Sequence, residues 1–382
     1  MGGWTMKKIF LMGICVIALP ALASENLVND YQTFKNELTQ KTGISYSLDM
    51  SFLPQRGAPS GKGTAWQTQY YGTVGWDAFH SNVIGSGMVN LAYTAVRYWG
   101  MTADVLNNRL GVFSGVNDYL SNGNYFDELS YTHTLPGRLK SLSVTVGQFP
   151  LYNFDGTDYD SNQQVNFLNY ALSQNASETY PTASLGGFIT WTPNAEWSIS
   201  AGAQNANNVT GETISWSKWK KGKMTPFASV TWNPTFNGLA GEYGVMAYYQ
   251  PSVSVQPVSS RGWSVNAQQF IAEKVAVFMR ANGVNKSENS IKQSYVLGSV
   301  VNNPMNRNSL DQAGVAVAIN KLNKTANGPG TRSWETVFET YMAFGISSFA
   351  TITPDVQFYI NPGANRKHDT ATVVSLRATL MF

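Results

Sequence analysis

Cysteine is almost missing from this 382-residue chain. The one thiol, Cys15, falls in an N-terminal apolar run, so no disulfide can staple the fold and no lipoprotein attachment pattern appears. Charge is scarce as well: Asp, Glu, Lys and Arg make up 13% of the residues, against roughly 25% in ordinary soluble domains. After the N-terminal run there is no apolar stretch of the ~18 residues a membrane helix needs, which excludes helical spans. No basic patch dominates, which argues against nucleic acid as a partner. The three histidines, His80, His133 and His368, are scattered without metal-ligand spacing. Gly85-Ser86-Gly87 lacks the spacing of a nucleophile elbow, and no glycine-rich phosphate loop occurs. Neither a catalytic site nor a cofactor is implied.

What is present is alternation. Lys7 and Lys8, the apolar run Ile9 to Leu19 and the small-x-small site Ala21-Leu22-Ala23 read as a secretory signal peptide over residues 1–23. Without the two signal lysines, 24 basic side chains face 23 acidic ones. Leu27, Tyr31, Phe34 and Leu38 then predict a short amphipathic helix within residues 24–43, from Asn26 to Lys41 and stopped at Gly43. From residue 44 to 382 the period becomes two. Ile44, Tyr46, Leu48, Met50 and Phe52 alternate with Ser45, Ser47, Asp49 and Ser51. At the other end, Val374, Leu376, Ala378, Leu380 and Phe382 alternate with Ser375, Arg377 and Thr379. Such strands have one apolar and one wet face. With 13% aromatics including 11 Trp and 19 Tyr, they predict an all-β fold: a transmembrane antiparallel β-barrel of about 16 strands. The last strand should close against the first, leaving no edge in lipid.

Two stretches interrupt the pattern. Residues 101–123 form a long connection. Residues 152–181 form an insertion whose Ser161 to Ser173 portion reads as a helix with Val165, Leu168 and Leu172 on one side; it either folds inward and narrows a pore or decorates the outside. The basic loop with Lys218, Lys220, Lys221 and Lys223 is either a solvated loop or a contact for lipopolysaccharide phosphates or an anionic ligand. Alternation places Asp49, Asp77, Glu128, Lys274, Arg280, Glu335, Glu339, Asp355 and Arg377 on the wet face, with Tyr71, Phe278, Tyr341 and Tyr359 among them. Both signs together with aromatic faces suit neutral polyhydroxyl solutes; a strongly anion- or cation-selective pore would show one sign in excess.

Four blocks carry a family resemblance. Thr42-Gly43-Ile44-Ser45-Tyr46-Ser47-Leu48 spans the change from helix to first strand. Asn166 to Leu172, Tyr180-Pro181 and Leu185-Gly186-Gly187-Phe188 cover the insertion and the strand after it. Thr353 to Gly363 covers the penultimate strand and its turn, and Val373 to Phe382 with Leu376-Arg377 the last strand. The chain resembles the carbohydrate-selective outer-membrane porins of the OprB family, although residues 205–261 match poorly. The resemblance implies a 16-stranded barrel, integral to the bacterial outer membrane, that passes small sugars by diffusion. It also implies a constriction lined by charged residues including arginines, and Arg377 is the one carried over by its Leu-Arg position. Lipid, lipopolysaccharide and the barrel assembly machinery are the further partners it implies. A general diffusion porin, a surface adhesin and an outlet for a polysaccharide are the competing readings.

Overall fold

A computed structural model describes residues 25–59, 63–214, 216–219, 222–286 and 288–382; the signal-peptide reading lies outside these. Sixteen long antiparallel strands form one closed sheet. In chain order they are β1 (Ile44–Ala58), β2 (Ala65–Ser81), β3 (Gly85–Tyr98), β4 (Gly123–Thr134), β5 (Leu142–Phe149), β6 (Ser184–Trp191), β7 (Trp197–Asn205) and β8 (Met224–Trp232). After a two-residue strand, β9 (Thr235–Phe236), come β10 (Leu239–Gln250), β11 (Ser260–Ala272), β12 (Val275–Asn285), β13 (Ile291–Asn302), β14 (Gln312–Leu322), β15 (Trp334–Gly345), β16 (Ala350–Ile360) and β17 (Thr370–Met381). Among the described residues no helix is long and apolar enough to cross a membrane; the strands do the crossing.

Closure is by β1 and β17, which pair from Asp49 opposite Met381 to Ala58 opposite Thr372. Phe382 joins the ladder: its N–H donates to the Leu48 carbonyl at 2.9 Å, and its carbonyl accepts from the Leu48 N–H at 3.1 Å. Each of the sixteen long strands therefore has two neighbours, as lipid demands, since each unsatisfied backbone group there costs several kcal/mol. Outward-facing Val74, Leu297, Val315, Phe338, Phe358 and Leu376 are all exposed. An apolar surface of this extent suits hydrocarbon and not water. Aromatics gather at the strand ends; Trp197 stacks on Trp232 at 5.6 Å, with Phe236 and Tyr243 against the same ring. The predicted N-terminal helix spans Glu25–Thr42. Its Tyr31 meets Phe382 edge-on at 6.4 Å.

One end of the barrel carries the start of β1, the end of β17 and mostly short turns. The other carries long connections, two of which fold into the lumen. Residues 101–122 hold the helix Ala103–Leu110, capped by the Thr102 side chain and ended by Gly111 in the left-handed region at φ 73°. This helix lies so close to β1 that a Cβ on Gly57 would meet Leu110 at 2.8 Å; only glycine leaves that room. Residues 150–183 also turn inward, which decides between the two expectations for this insertion. The helix expected over Ser161 to Ser173 shrinks to Tyr170–Ser173. The reason is competition for carbonyls: those of residues 163 to 166, which a helix would use internally, accept bonds from the barrel wall instead. Leu106, Leu110, Val116, Phe167 and Leu172 from the two segments pack on lumen-facing Val96, Phe278, Val300, Val337 and Val373. Part of the lumen is thus an apolar core.

Candidate functional site: a constricted lumen

A non-regular segment buried inside a barrel brings backbone groups that must find partners. The wall supplies them, and it sorts by charge. Carboxylates take N–H groups. Glu335 on β15 accepts from the Phe113 N–H at 3.1 Å, the Ser114 N–H at 2.7 Å, the Ser114 hydroxyl at 2.6 Å and the Gly363 N–H at 2.8 Å. Glu339, four residues on and hence on the same face, accepts from the N–H groups of Leu168 and Asn169. Arginines take carbonyls. Arg377 on β17 donates to those of Gln163, Val165 and Asn166, and Thr379 beside it to Gln164. Arg280 on β12 donates to the carbonyls of Asp160, Ala171 and Gln174 and pairs with the Asp160 carboxylate at 3.3 Å. Tyr359 receives the Asn169 amide and lies 2.9 Å from the Gly115 carbonyl. Hydrogen bonds to charged groups contribute about 1.5–3 kcal/mol each, so these four side chains clamp both segments firmly.

The remaining sequence-predicted residues fall elsewhere. Asp355 is buried beside Glu339, Ser375 and Arg377. Tyr341 packs its ring on Phe167 at 5.0 Å and donates to Gln312. Asp49 stands half-buried on the lumen face of β1, in register with Tyr71. Asp77 pairs with His80 at 2.6 Å near the terminus end, and Glu128 accepts from Ser130. Lys274 departs from its expected place: it lies in the two-residue turn between β11 and β12 and donates to Asn303 and Asn306. The alternation that suggested a lumen position ends one residue too early to include it. Of the basic loop, Lys220 and Lys221 lie outside the described residues, while Lys223 donates to the Ser252 carbonyl.

What faces water is a different set. A cavity of about 650 Å³ runs between the inward segments and the β2–β4 wall. Asp118, Asp127, Asp158, Glu178 and Glu242 line it, with Tyr71, Tyr119, Tyr125, Tyr152 and Tyr170. A second cavity of about 370 Å³ lies towards the long-loop end, at Asn117, Asn289 and Ser290. A third, of about 480 Å³, continues outward at Asn207, Val255 and Glu288. The second and third share Asn289 in their linings. Among the described residues no Lys, Arg or His lines any of the three. The arginines are in the barrel, but the loop carbonyls occupy them.

Asp118, Leu120, Tyr170 and Glu178 line both of the first two cavities, and so mark where the two adjoin. Ser173 donates to Asp118, and the Tyr170 hydroxyl donates to Glu178 at 2.9 Å. Burial pushes the Asp118 carboxyl up to about 8, opposed by bonds from Ser173 and Gln174. It pushes Glu178 up to about 7, opposed by bonds from Tyr180 and Tyr170. Both groups thus change charge near neutrality. Alternation could not have found them, because neither lies on a strand. The available signal was length, since both segments far exceed what joins neighbouring strands.

A closed sixteen-stranded barrel with an apolar outer band and a constricted polar passage defines an outer-membrane porin, an integral membrane channel. The model of the carbohydrate-selective porin, OprB family, matches residues 101–382, and the chain belongs to that family. It is 36% identical over 352 residues to porin AaxA of Chlamydia abortus, covering 90% of this chain and 78% of that one. It is also 36% identical to porin AaxA of Chlamydia pneumoniae, over 89% of this chain and 79% of that one. Its fold matches the high-pH structure of Pseudomonas putida OprB with a TM-score of 0.76 at 18% identity, covering 92% of this chain and 97% of the other.

Proposed function

We propose that this porin passes small neutral polyhydroxylated solutes, sugars above all, by passive diffusion into the periplasm. The observation that carries the reading is the lining of the two inner cavities: carboxylates, amides and tyrosines, with no Lys, Arg or His among the described residues. Carboxylate and amide oxygens accept from sugar hydroxyls, and tyrosine rings stack on the apolar sugar faces. Long connections face the exterior and short turns the periplasm, as in other barrels of this kind. Solute then enters past Asn207 and Asn289, crosses the junction at Tyr170 and leaves through the larger chamber. Glu335, Glu339, Arg280 and Arg377 act on solute through the segments they hold; Asp49 and Tyr71 meet it near the exit. Assembly machinery that reads the closing strand, and lipopolysaccharide phosphates at the basic loop, belong to the same proposal.

One observation favours a second reading. A lining of one sign attracts small cations and repels anions. Liposome swelling with a monosaccharide, a disaccharide and cationic, zwitterionic and anionic solutes of matched size separates the two. Sugars entering faster than size-matched zwitterions supports the first reading. Cations alone being favoured supports the second. Equal rates for every solute of one size would sink both in favour of general diffusion.

A further inference from the structure

We propose that the Tyr170 side chain sets the size limit of the passage, as a partition between the two chambers that is latched by its hydrogen bond to Glu178. The inference rests on the passage proposed above.

The base of this side chain is fixed. Asn169 caps the helical turn by accepting from the Ala171 N–H at 3.0 Å, and its amide donates to the Gly115 carbonyl and to Tyr359. The Asn169 N–H is held in turn by Glu339. The first side-chain carbon of Tyr170 lies where a Cβ on Gly115 would be 2.9 Å away. Gly115 has φ 74°, a conformation that glycine adopts without strain. Its lack of a side chain therefore makes room for the root of the tyrosine, and the backbone cannot carry the ring out of the path.

The tip depends on a single bond. The hydroxyl reaches Glu178 at 2.9 Å, and Glu178 belongs to the same inward segment, beyond Asn175, whose carbonyl accepts from its N–H at 3.0 Å. The ring therefore spans the junction between a fixed root and one latch. Asp118 and Leu120, from the other inward segment, complete the rim. A flat ring tied at both ends blocks cross-section, whereas a ring freed at its tip reorients by side-chain rotation, which takes nanoseconds and not a loop movement.

The test is single-channel conductance in planar bilayers together with oligosaccharide exclusion in liposomes, for wild type, Y170A, Y170F and E178Q. Correct assembly of each is checked by resistance to unfolding in detergent before heating. Y170A should raise conductance and shift the exclusion limit to a longer oligosaccharide than wild type admits. Y170F keeps the ring and drops the latch, so its open-channel current should fluctuate more. E178Q replaces the charged acceptor of the latch by a neutral one, so its cation preference should fall. A conducting wild type with Y170A and Y170F unchanged in both readouts overturns the partition. A wild type that does not conduct at all overturns the passage itself.

Discussion

One side of this lumen is filled and the other is open. Along β12 to β17 the inward-facing Phe278, Val300, Val337 and Val373 are covered by the two inserted segments. The charged residues among them, Arg280, Glu335, Glu339 and Arg377, are fully buried. Along β2 to β4 the inward-facing Gln69, Tyr71, Thr94 and Asp127 border the larger cavity. The same alternation produces both walls, yet the jobs differ. On the filled side a charge serves the backbone of a loop, because a non-regular segment in a closed space has no water to satisfy it. On the open side the wall's polar groups bond side chains, Thr94 to Asp127 and Gln163 to Gln69, and border the cavity. Charge in a barrel interior is therefore no measure of selectivity until the loops are in place.

The largest expected effect comes from breaking the filled side. Arg280→Ala removes one partner of a buried ion pair and strands three carbonyls, a loss of about 3–5 kcal/mol. Urea titration of the barrel in lipid vesicles should show a lowered midpoint, and the released segment should raise conductance. An unchanged midpoint would mean that the clamp contributes nothing. Next in size is a pH effect on the open side. Asp118 and Glu178 have carboxyls raised to about 8 and about 7, so both are largely neutral at pH 6 and charged at pH 9. Cation preference, read as the reversal potential across a salt gradient, should increase over that range. In a D118N/E178Q double variant the profile should flatten; a wild-type profile that is already flat contradicts the assignment.

Smaller effects sharpen the same contrast. Asp158 is exposed in the larger cavity, and Asp158→Asn should leave stability within about 0.5 kcal/mol, the usual range for a surface change, while lowering cation preference slightly. Lys274→Ala, in a turn at the terminus end, should alter neither conductance nor selectivity. A shift in reversal potential with Lys274→Ala would return that residue to the passage.

Much of this was legible in the chain. Alternation located the barrel strands, though most run further than it showed. β1 continues past the alternating Ile44 to Phe52 as far as Ala58, because lumen-facing Gln55 is covered by the inward segment and bonds the Val116 carbonyl. Alternation also placed Arg280, Glu335, Glu339, Asp355 and Arg377 on the inner face. The role of these residues was not legible, since period two tells inside from outside and says nothing about what fills the inside. Asp118, Tyr170 and Glu178 carry no local pattern, as their positions follow from contacts with strands more than a hundred residues away.

The closing strand marks the boundary between the two kinds of information. From sequence alone came its apolar outer face, its pairing with Ile44 to Phe52 and the inward direction of Arg377, because a two-residue period and the need to close an edge in lipid are local and general constraints. Tertiary structure decided that the Arg377 guanidinium meets the loop carbonyls of residues 163, 165 and 166. It also decided that Leu380 is covered while Leu376 faces lipid, and that Asp118 and Glu178 border both inner cavities. Each of these depends on where residues 101–122 and 150–183 come to rest. That is settled by burying apolar side chains and by finding partners for backbone groups across the whole lumen, which no window of sequence contains.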